Sequence, residues 1–176
     1  MSETLDRFTA AEYEALRELT HRMRRRLGAG STDPGTDSLV HEAYLRLKSS
    51  GKGTWHDRTH FLAVASLQLR HLLVDHARAA GAQKRGGGQL RVSLDEDRIS
   101  SAKPAMDVLA LDEALTGLAR QDARQHRVAE LRLFAAMTVE EIAATLSVSE
   151  RTVKEDWRLA KSWLANRLRN GAGDDA

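Results

Sequence analysis

The chain has 176 residues, 41% of them apolar and 30% charged, with 27 basic against 25 acidic side chains. That length holds one domain or two small ones, supplies enough apolar side chains for a core, and excludes disorder throughout. The absence of cysteine excludes a disulfide framework, a thiolate zinc site and a cysteine nucleophile, and fits a reducing, cytoplasmic setting. Residues 8–27 read as the first helix: Thr9 is a candidate N-cap, Glu12 closes a capping box, and Leu16, Leu19, Met23 and Leu27 recur at helical spacing. Gly28 to Gly35 breaks the pattern around Asp33-Pro34. A second helix is predicted from Thr36 to Lys48, with Leu39, Val40, Ala43, Tyr44 and Leu47 on its apolar side, and a glycine-containing loop follows from Ser49 to Thr54. A third and longer helix, about Arg58 to Ala80, carries Phe61, Leu62, Ala65, Leu69, Leu72, Leu73 and Ala77 over a wide arc, as a central bundle helix does. Gly81 to about Ala105 lacks periodicity, contains Gly86-Gly87-Gly88 and reads as a flexible linker. A short strand at Leu90–Leu94 has no obvious partner. Helices resume at about 107–119, 122–134, 138–146 and 149–169. The expected fold is all-α: two small helical domains, residues 1–80 and 107–170, joined by a linker at 81–106 and followed by a frayed tail at 171–176.

The strongest local signal is TVEEIAATLSVSERTVKEDWR at 138–158. Thr138 and Glu141 make a capping box, Ser147-Val148-Ser149 is a short turn, and Ser149 is placed to cap the next helix. Val153, Trp157, Ala160, Leu164 and Leu168 then give that helix one apolar face. Small Ala143 permits close approach, and Ile142, Leu146, Val148 and Val153 fill the angle, which is the pattern of a helix-turn-helix. Ser147 stands where glycine is common; a positive φ there would cost roughly 1 kcal/mol. At about 100° per residue, Arg151, Lys154, Arg158 and Lys161 share a second stripe. Arg151, Thr152, Lys154 and Glu155 stand where a recognition helix meets base edges, and Arg158 and Lys161 where it meets phosphates. Basic runs at 17–27, 70–91 and 149–169, with the acidic residues Asp95, Glu96, Asp97, Asp107 and Asp112 between the last two, suggest contact with a polyanion at more than one place.

The N-terminal half narrows the class. SLVHEAYLRL (Ser38–Leu47), then Trp55 and Phe61 spaced W-x5-F, then RHLLVDHARA (Arg70–Ala79) and KRGGG (Lys84–Gly88) resemble the extracytoplasmic-function (ECF) sigma factors of bacterial RNA polymerase. Within them the chain is most similar to the branch with LVHEAYLRL and LVDHAR runs. The resemblance spans about residues 8–169. It implies a polymerase-docking and promoter-melting domain at 1–80 and a −35-reading domain at 107–170. It implies that Asp37, Leu39, Val40, Glu42, Leu45 and Arg46 meet the β′ clamp helices of core RNA polymerase, with the β flap as a second polymerase contact. Trp55, His56, Arg58 and Phe61 would capture a base flipped from the −10 strand, since an unpaired base wants a π surface and a cation. Packing in the core is the competing reading of Trp55 and Phe61. Arg70, Arg78, Lys84 and Arg85 would hold phosphates. Ser149, Arg151, Thr152, Lys154, Glu155, Arg158 and Lys161 would read the −35 element. The linker would thread polymerase, its Asp95, Glu96 and Asp97 imitating nucleic acid.

One departure from the family pattern matters. Many relatives open the docking helix with an acidic cluster of the type Asp-Ala-Glu-Asp; here the matching residues are Gly35, Thr36, Asp37 and Ser38. One carboxylate meets a basic clamp surface. Phosphorylation of Thr36 or Ser38 would add about −2 at a helix N-terminus, where the dipole favours it. Some relatives without the cluster are switched on by a Ser/Thr kinase, so such a kinase, or an anti-sigma protein, is an expected partner; helix capping is the plainer role for both hydroxyls.

Other chemistries find little support. His41-Glu42 lacks the second histidine of a zinc-protease helix, since position 45 is Leu, and His56 with His60 lacks further metal ligands. Lys84 to Gly88 does not have phosphate-loop spacing. No enzyme activity, cofactor or metal is expected. No apolar run reaches the ~18 residues of a membrane span, and the N-terminus lacks the apolar core of a signal peptide, so the expected location is the cytoplasm, at the nucleoid. A stand-alone helix-turn-helix regulator that binds duplex operator DNA without polymerase is the alternative.

Overall fold

In the computed structural model the described residues are 9–28, 35–49, 55–83, 91–92 and 106–171, with the backbone alone at 26–28, 82–83, 91–92, 106–107 and 171. Phe8, the loop residues 50–54, Lys84, Arg85, the acidic trio 95–97 and the tail beyond Gly171 lie outside them.

The capping box at the first helix forms: the Thr9 backbone N–H donates to Glu12 Oε2 at 2.6 Å, and the Glu12 N–H donates to Thr9 Oγ1 at 3.3 Å. Helix α1 (Ala10–Arg26) follows, and its Leu16, Leu19 and Met23 are buried. Helix α2 (Thr36–Ser49) buries Leu39, Val40, Ala43 and Leu47 against it. Helix α3 (Arg58–Gln83) starts under Asp57, whose Oδ1 accepts from the His60 N–H at 2.8 Å. It runs three residues past the expected end, and Phe61, Leu69, Leu72 and Leu73 fill the centre of this first lobe. Side-chain contacts tie α2 to α3 at the surface: an ion pair of Arg46 with Asp75 at 2.9 Å and a hydrogen bond between Glu42 and His76 at 3.0 Å.

The second lobe comprises α4 (Val108–Gln121), α5 (Ala123–Leu133), α6 (Val139–Leu146) and α7 (Glu150–Gly171). Asp122 caps α5 by accepting from the Arg124 and Gln125 N–H groups. Leu111, Leu115, Leu118, Val128 and Leu131 form its core with Ile142, Val153, Ala160 and Leu164. Gly117 lets α7 pack closely on α4: a Cβ added there would stand 3.0 Å from the Trp163 ring.

Apart from the two residues Leu27–Gly28, the described part of each lobe is helical, as the composition and periodicity predict. The strand expected near Leu90–Leu94 does have partners. Leu27–Gly28 (β1), Arg91–Val92 (β2) and Met106–Asp107 (β3) form an antiparallel ladder in the order β1-β2-β3. The partners are too far off in sequence, and each strand too short, for periodicity to pair them. The lobes also touch directly, with α3 packed against α4, α5 and α6.

Candidate nucleic-acid interface

The turn between α6 and α7 is built by hydrogen bonds that close the end of α6. Thr138 and Glu141 make the reciprocal capping box at its start, with bonds of 3.2 and 2.8 Å. At its end Ser147 takes φ 54° and ψ 44°, its N–H donates to the Ala144 carbonyl at 3.4 Å, and the Val148 N–H donates to the Ala143 carbonyl at 3.0 Å. This is the Schellman arrangement with serine in the left-handed position. The positive φ anticipated at Ser147 is therefore real. Ile142 and Val153 are fully buried in the angle, and Leu146 and Val148 pack against them from its rim. Ser149 then caps α7: its Oγ accepts from the Thr152 N–H at 3.1 Å and bonds Thr152 Oγ1 at 2.8 Å.

With the apolar face of α7 turned inward, Arg151, Lys154, Glu155 and Arg158 are exposed on the outer face, and Lys161 is half-buried. Lys154 lies 3.8 Å from Glu150, and Arg158 grips Glu155 with two bonds of 3.1 and 2.6 Å. The Arg158 hydrogen bond holds the Glu155 carboxyl below its ordinary pKa, and Glu155 holds the Arg158 guanidinium above its own. Among the described residues no carboxylate forms an ion pair with Arg151, which acts on Glu155 only through space, and Arg151, Lys154 and Arg158 are open to water. Such pairs are worth little to folding and exchange readily for phosphate.

Two charged residues outside the basic stripe, not singled out from sequence, orient this helix. Asp156 is 3% exposed and accepts from Arg124 Nε at 2.6 Å and Nη2 at 3.1 Å, fastening α7 to α5. The hydrogen bond from Asp156 keeps the Arg124 guanidinium above its ordinary pKa. Arg132 stands over the Trp157 ring at 5.9 Å and donates to the Met137 carbonyl at 3.0 Å. The readable signal was a carboxylate inside an apolar stripe, at three and four residues from Val153 and Ala160.

In the first lobe the candidates separate into core and surface. Leu39 and Val40 are buried and face α1 and α3, so the outer face of α2 consists of Asp37, Ser38, His41, Leu45 and Lys48. Leu45 is 48% exposed, a large apolar side chain in the middle of that face. His41 and Lys48 belong to it by helical spacing and were not singled out from sequence. Glu42 and Arg46 are half-buried and engaged by α3. Thr36 accepts a hydrogen bond from Arg24 through its hydroxyl, whereas Ser38 is exposed.

Trp55 is half-buried and meets Phe61 edge-on at 5.3 Å between ring centres. Phe61 is itself 1% exposed and is a core residue supporting Trp55. The His56 and His60 rings stack at 5.0 Å, and Arg58 lies 3.5 Å from Glu18. Trp55, His56 and Arg58 therefore cluster at the start of α3. Arg78 is about 30 Å along the same helix from Arg58, at 1.5 Å per residue. Arg70 is buried and paired with carboxylates of the second lobe. Among the described residues no group of three or more His, Asp or Glu is placed to hold a metal ion.

Two all-helical lobes, the second ending in a helix-turn-helix with cations on its outer face, define a DNA-binding protein. A family model described as ECF sigma factor matches residues 2–170, and the chain belongs to that family. It is thus a sigma factor, a non-catalytic initiation factor that directs transcription, and core RNA polymerase and promoter DNA are its partners. No curated protein and no solved structure matches the chain. None of the described helices is long and apolar enough to cross a membrane.

Proposed function

We propose that the second lobe reads the −35 element with α7 and that the first lobe docks on the β′ clamp helices and captures an unpaired −10 base. The observation that carries this reading is the α6–α7 pair, whose capped turn holds Arg151, Lys154 and Arg158 on one solvent face. In the docked state Arg151 and Lys154 reach base edges and Arg158 a phosphate. The face of α2 that carries Asp37, Ser38, His41, Leu45 and Lys48 meets polymerase, with Leu45 as its apolar anchor. Trp55, braced by Phe61, offers the flipped base a ring, with Arg58 beside it.

Run-off transcription with core polymerase tests this. Wild-type protein starts transcription at its promoter. Trp55→Ala loses open-complex formation while keeping polymerase binding, and Arg151→Ala loses −35-dependent starts. Binding to duplex operator without polymerase, coupled to an inability to start transcription, refutes the reading.

We further propose that phosphorylation at the start of α2 strengthens docking. The single carboxylate there, Asp37, and the exposed Ser38 hydroxyl support this. A phosphate on Ser38 stands in the first turn of α2, where the helix dipole favours it. Intact-mass measurement on protein from its native host, with Thr36→Glu and Ser38→Glu in a polymerase-binding assay, tests the idea. Full-strength binding by unmodified wild type removes it.

A further inference from the structure

Arg70 is the one fully buried cation among the described residues, at 6% exposure, and its partners come from the other lobe. From α3 its Nε and Nη2 donate to Asp112 Oδ1 of α4 at 3.0 and 2.8 Å. Its Nη1 donates to Glu130 Oε1 of α5 at 2.7 Å. The guanidinium lies 5.7 Å from the centre of the Phe134 ring. Arg127 binds the second oxygen of Glu130 at 2.5 Å, and Arg78 stands 4.0 Å from the second oxygen of Asp112. Three cations and two carboxylates thus meet across the lobe boundary.

We propose that this network is a latch that holds the free chain closed, and that it must open before the two lobes can engage one promoter. The proposal rests on the reading that the lobes contact separate promoter elements. Elements centred at −10 and −35 lie about 25 base pairs apart, on the order of 85 Å along B-DNA at about 3.4 Å per pair. A closed chain of this length has a radius of gyration of about 16 Å, hence a diameter of about 40 Å. The closed form cannot span that distance. With the β1-β2-β3 ladder unpaired, the connecting segment supplies most of it: fully extended, the chain between α3 and α4 reaches about 80 Å, and the width of the lobes supplies the rest.

The chemistry suits a latch rather than a permanent joint. A buried ion pair barely repays the desolvation of its charges, so it fixes an orientation more than it deepens a minimum. Both carboxylates line an open cleft of about 600 Å³ between the lobes; Glu130 is 3% exposed at its wall, whereas Asp112 is 21% exposed, so water reaches its carboxylate. Opening also releases Arg70, so a polyanion competes with Asp112 and Glu130 for the same guanidinium. DNA that binds Arg70 only in the open form draws the chain open by mass action.

The absence of cysteine makes the test direct. Ser49→Cys and Ser162→Cys, both at exposed helix positions, accept spin labels on the two lobes of the full chain. Pulsed dipolar spectroscopy on otherwise wild-type protein should give one short-distance population. Asp112→Asn with Glu130→Gln keeps side-chain shape and withdraws the charge. It should raise the open-to-closed ratio about tenfold, equivalent to about 1.4 kcal/mol. Glu14→Gln, whose carboxylate pairs with Arg17 on the surface of α1, should leave the distance unchanged. Should the double variant lose helix content, Asp112→Asn alone carries the test, since Asp112 is at the rim. Adding core polymerase and promoter DNA should move the wild-type distance to the long population. A folded variant with the wild-type distance, or a promoter complex that keeps the short one, overturns the latch. A latch that shifts as expected in a chain unable to start transcription removes the two-element reading instead.

Discussion

Ser147→Gly should stabilise the protein while leaving promoter recognition intact. Ser147 ends α6 at φ 54°, ψ 44°, a conformation in which Cβ approaches the following carbonyl and costs an L-residue about 1–2 kcal/mol. Glycine escapes that clash but loses more chain entropy on folding, about 0.5–1 kcal/mol. The difference leaves a net gain of about 0.5–1 kcal/mol. For a chain of this size each kcal/mol moves the melting temperature by about 2–4 °C, so a rise of about 1–4 °C is expected. The two closing bonds come from the Ser147 and Val148 N–H groups and survive the change, so the angle between α6 and α7 should hold and −35 duplex affinity stay the same. Ser147→Val should be less stable than wild type, because a β-branched side chain fits the left-handed region worst. Thermal unfolding of the three proteins in one buffer checks the series. A lower melting temperature for Ser147→Gly, or a valine variant equal to wild type, would refute the argument that the turn is strained.

Arg151→Ala and Lys154→Ala should each weaken duplex binding, and an Arg158→Ala phosphate contact should flatten the dependence of log K on log salt by about 0.9; a slope equal to wild type removes Arg158 from the interface. Asp156→Ala should lower the melting temperature and reduce −35 affinity together, since its carboxylate fastens α7 to Arg124 on α5; Asp156→Asn should do so by less, and an unchanged melting temperature would contradict a fastening role. Burial holds the His126 imidazole below its ordinary pKa, Arg70 and Arg127 act in the same direction, and Glu130 opposes them. Between that lowered value and the unfolded value of about 6.5 the unfolded chain binds more protons. Stability from this site is therefore present above about pH 6.5 and is lost as pH falls through the folded pKa. His126→Gln should remove that part of the slope in denaturation midpoints compared at about pH 7.5 and 5.5, and an unaltered slope rules the site out.

The helices were legible because their signals are local. Thr9 with Glu12 and Thr138 with Glu141 are reciprocal caps three residues apart, and both form. The apolar stripe of α7 placed its inward side correctly, and with it the solvent face of Arg151, Lys154 and Arg158. In α2 the same logic conflicts with the family resemblance. Leu39 and Val40 match positions that the family resemblance assigns to docking, yet the periodicity that places them on the apolar side puts them in the core. A similar conflict affects Phe61, where an aromatic spacing suited to base capture is occupied by a core ring. The free face of α2 is what remains once the core has taken its share, which is why His41 and Lys48 join Leu45 there.

What sequence could not supply was the partner of each buried charge. Arg70 and Asp156 both interrupt apolar stripes, and both are buried with their charge matched. Nothing local distinguishes them. Asp156 pairs within its own lobe, with a residue of the neighbouring helix, and so fixes the helix that carries the basic face. Arg70 pairs with residues 42 and 60 positions away in the other lobe, and so fixes the lobes against each other. A charge on an apolar stripe is a sign that some surface beyond the helix must answer it, because an unanswered one costs several kcal/mol. Whether the answer lies inside the lobe or across the boundary decides its consequence: under the reading proposed above, the first holds α7 in place while it meets DNA, and the second has to give way if the lobes are to reach separate promoter elements.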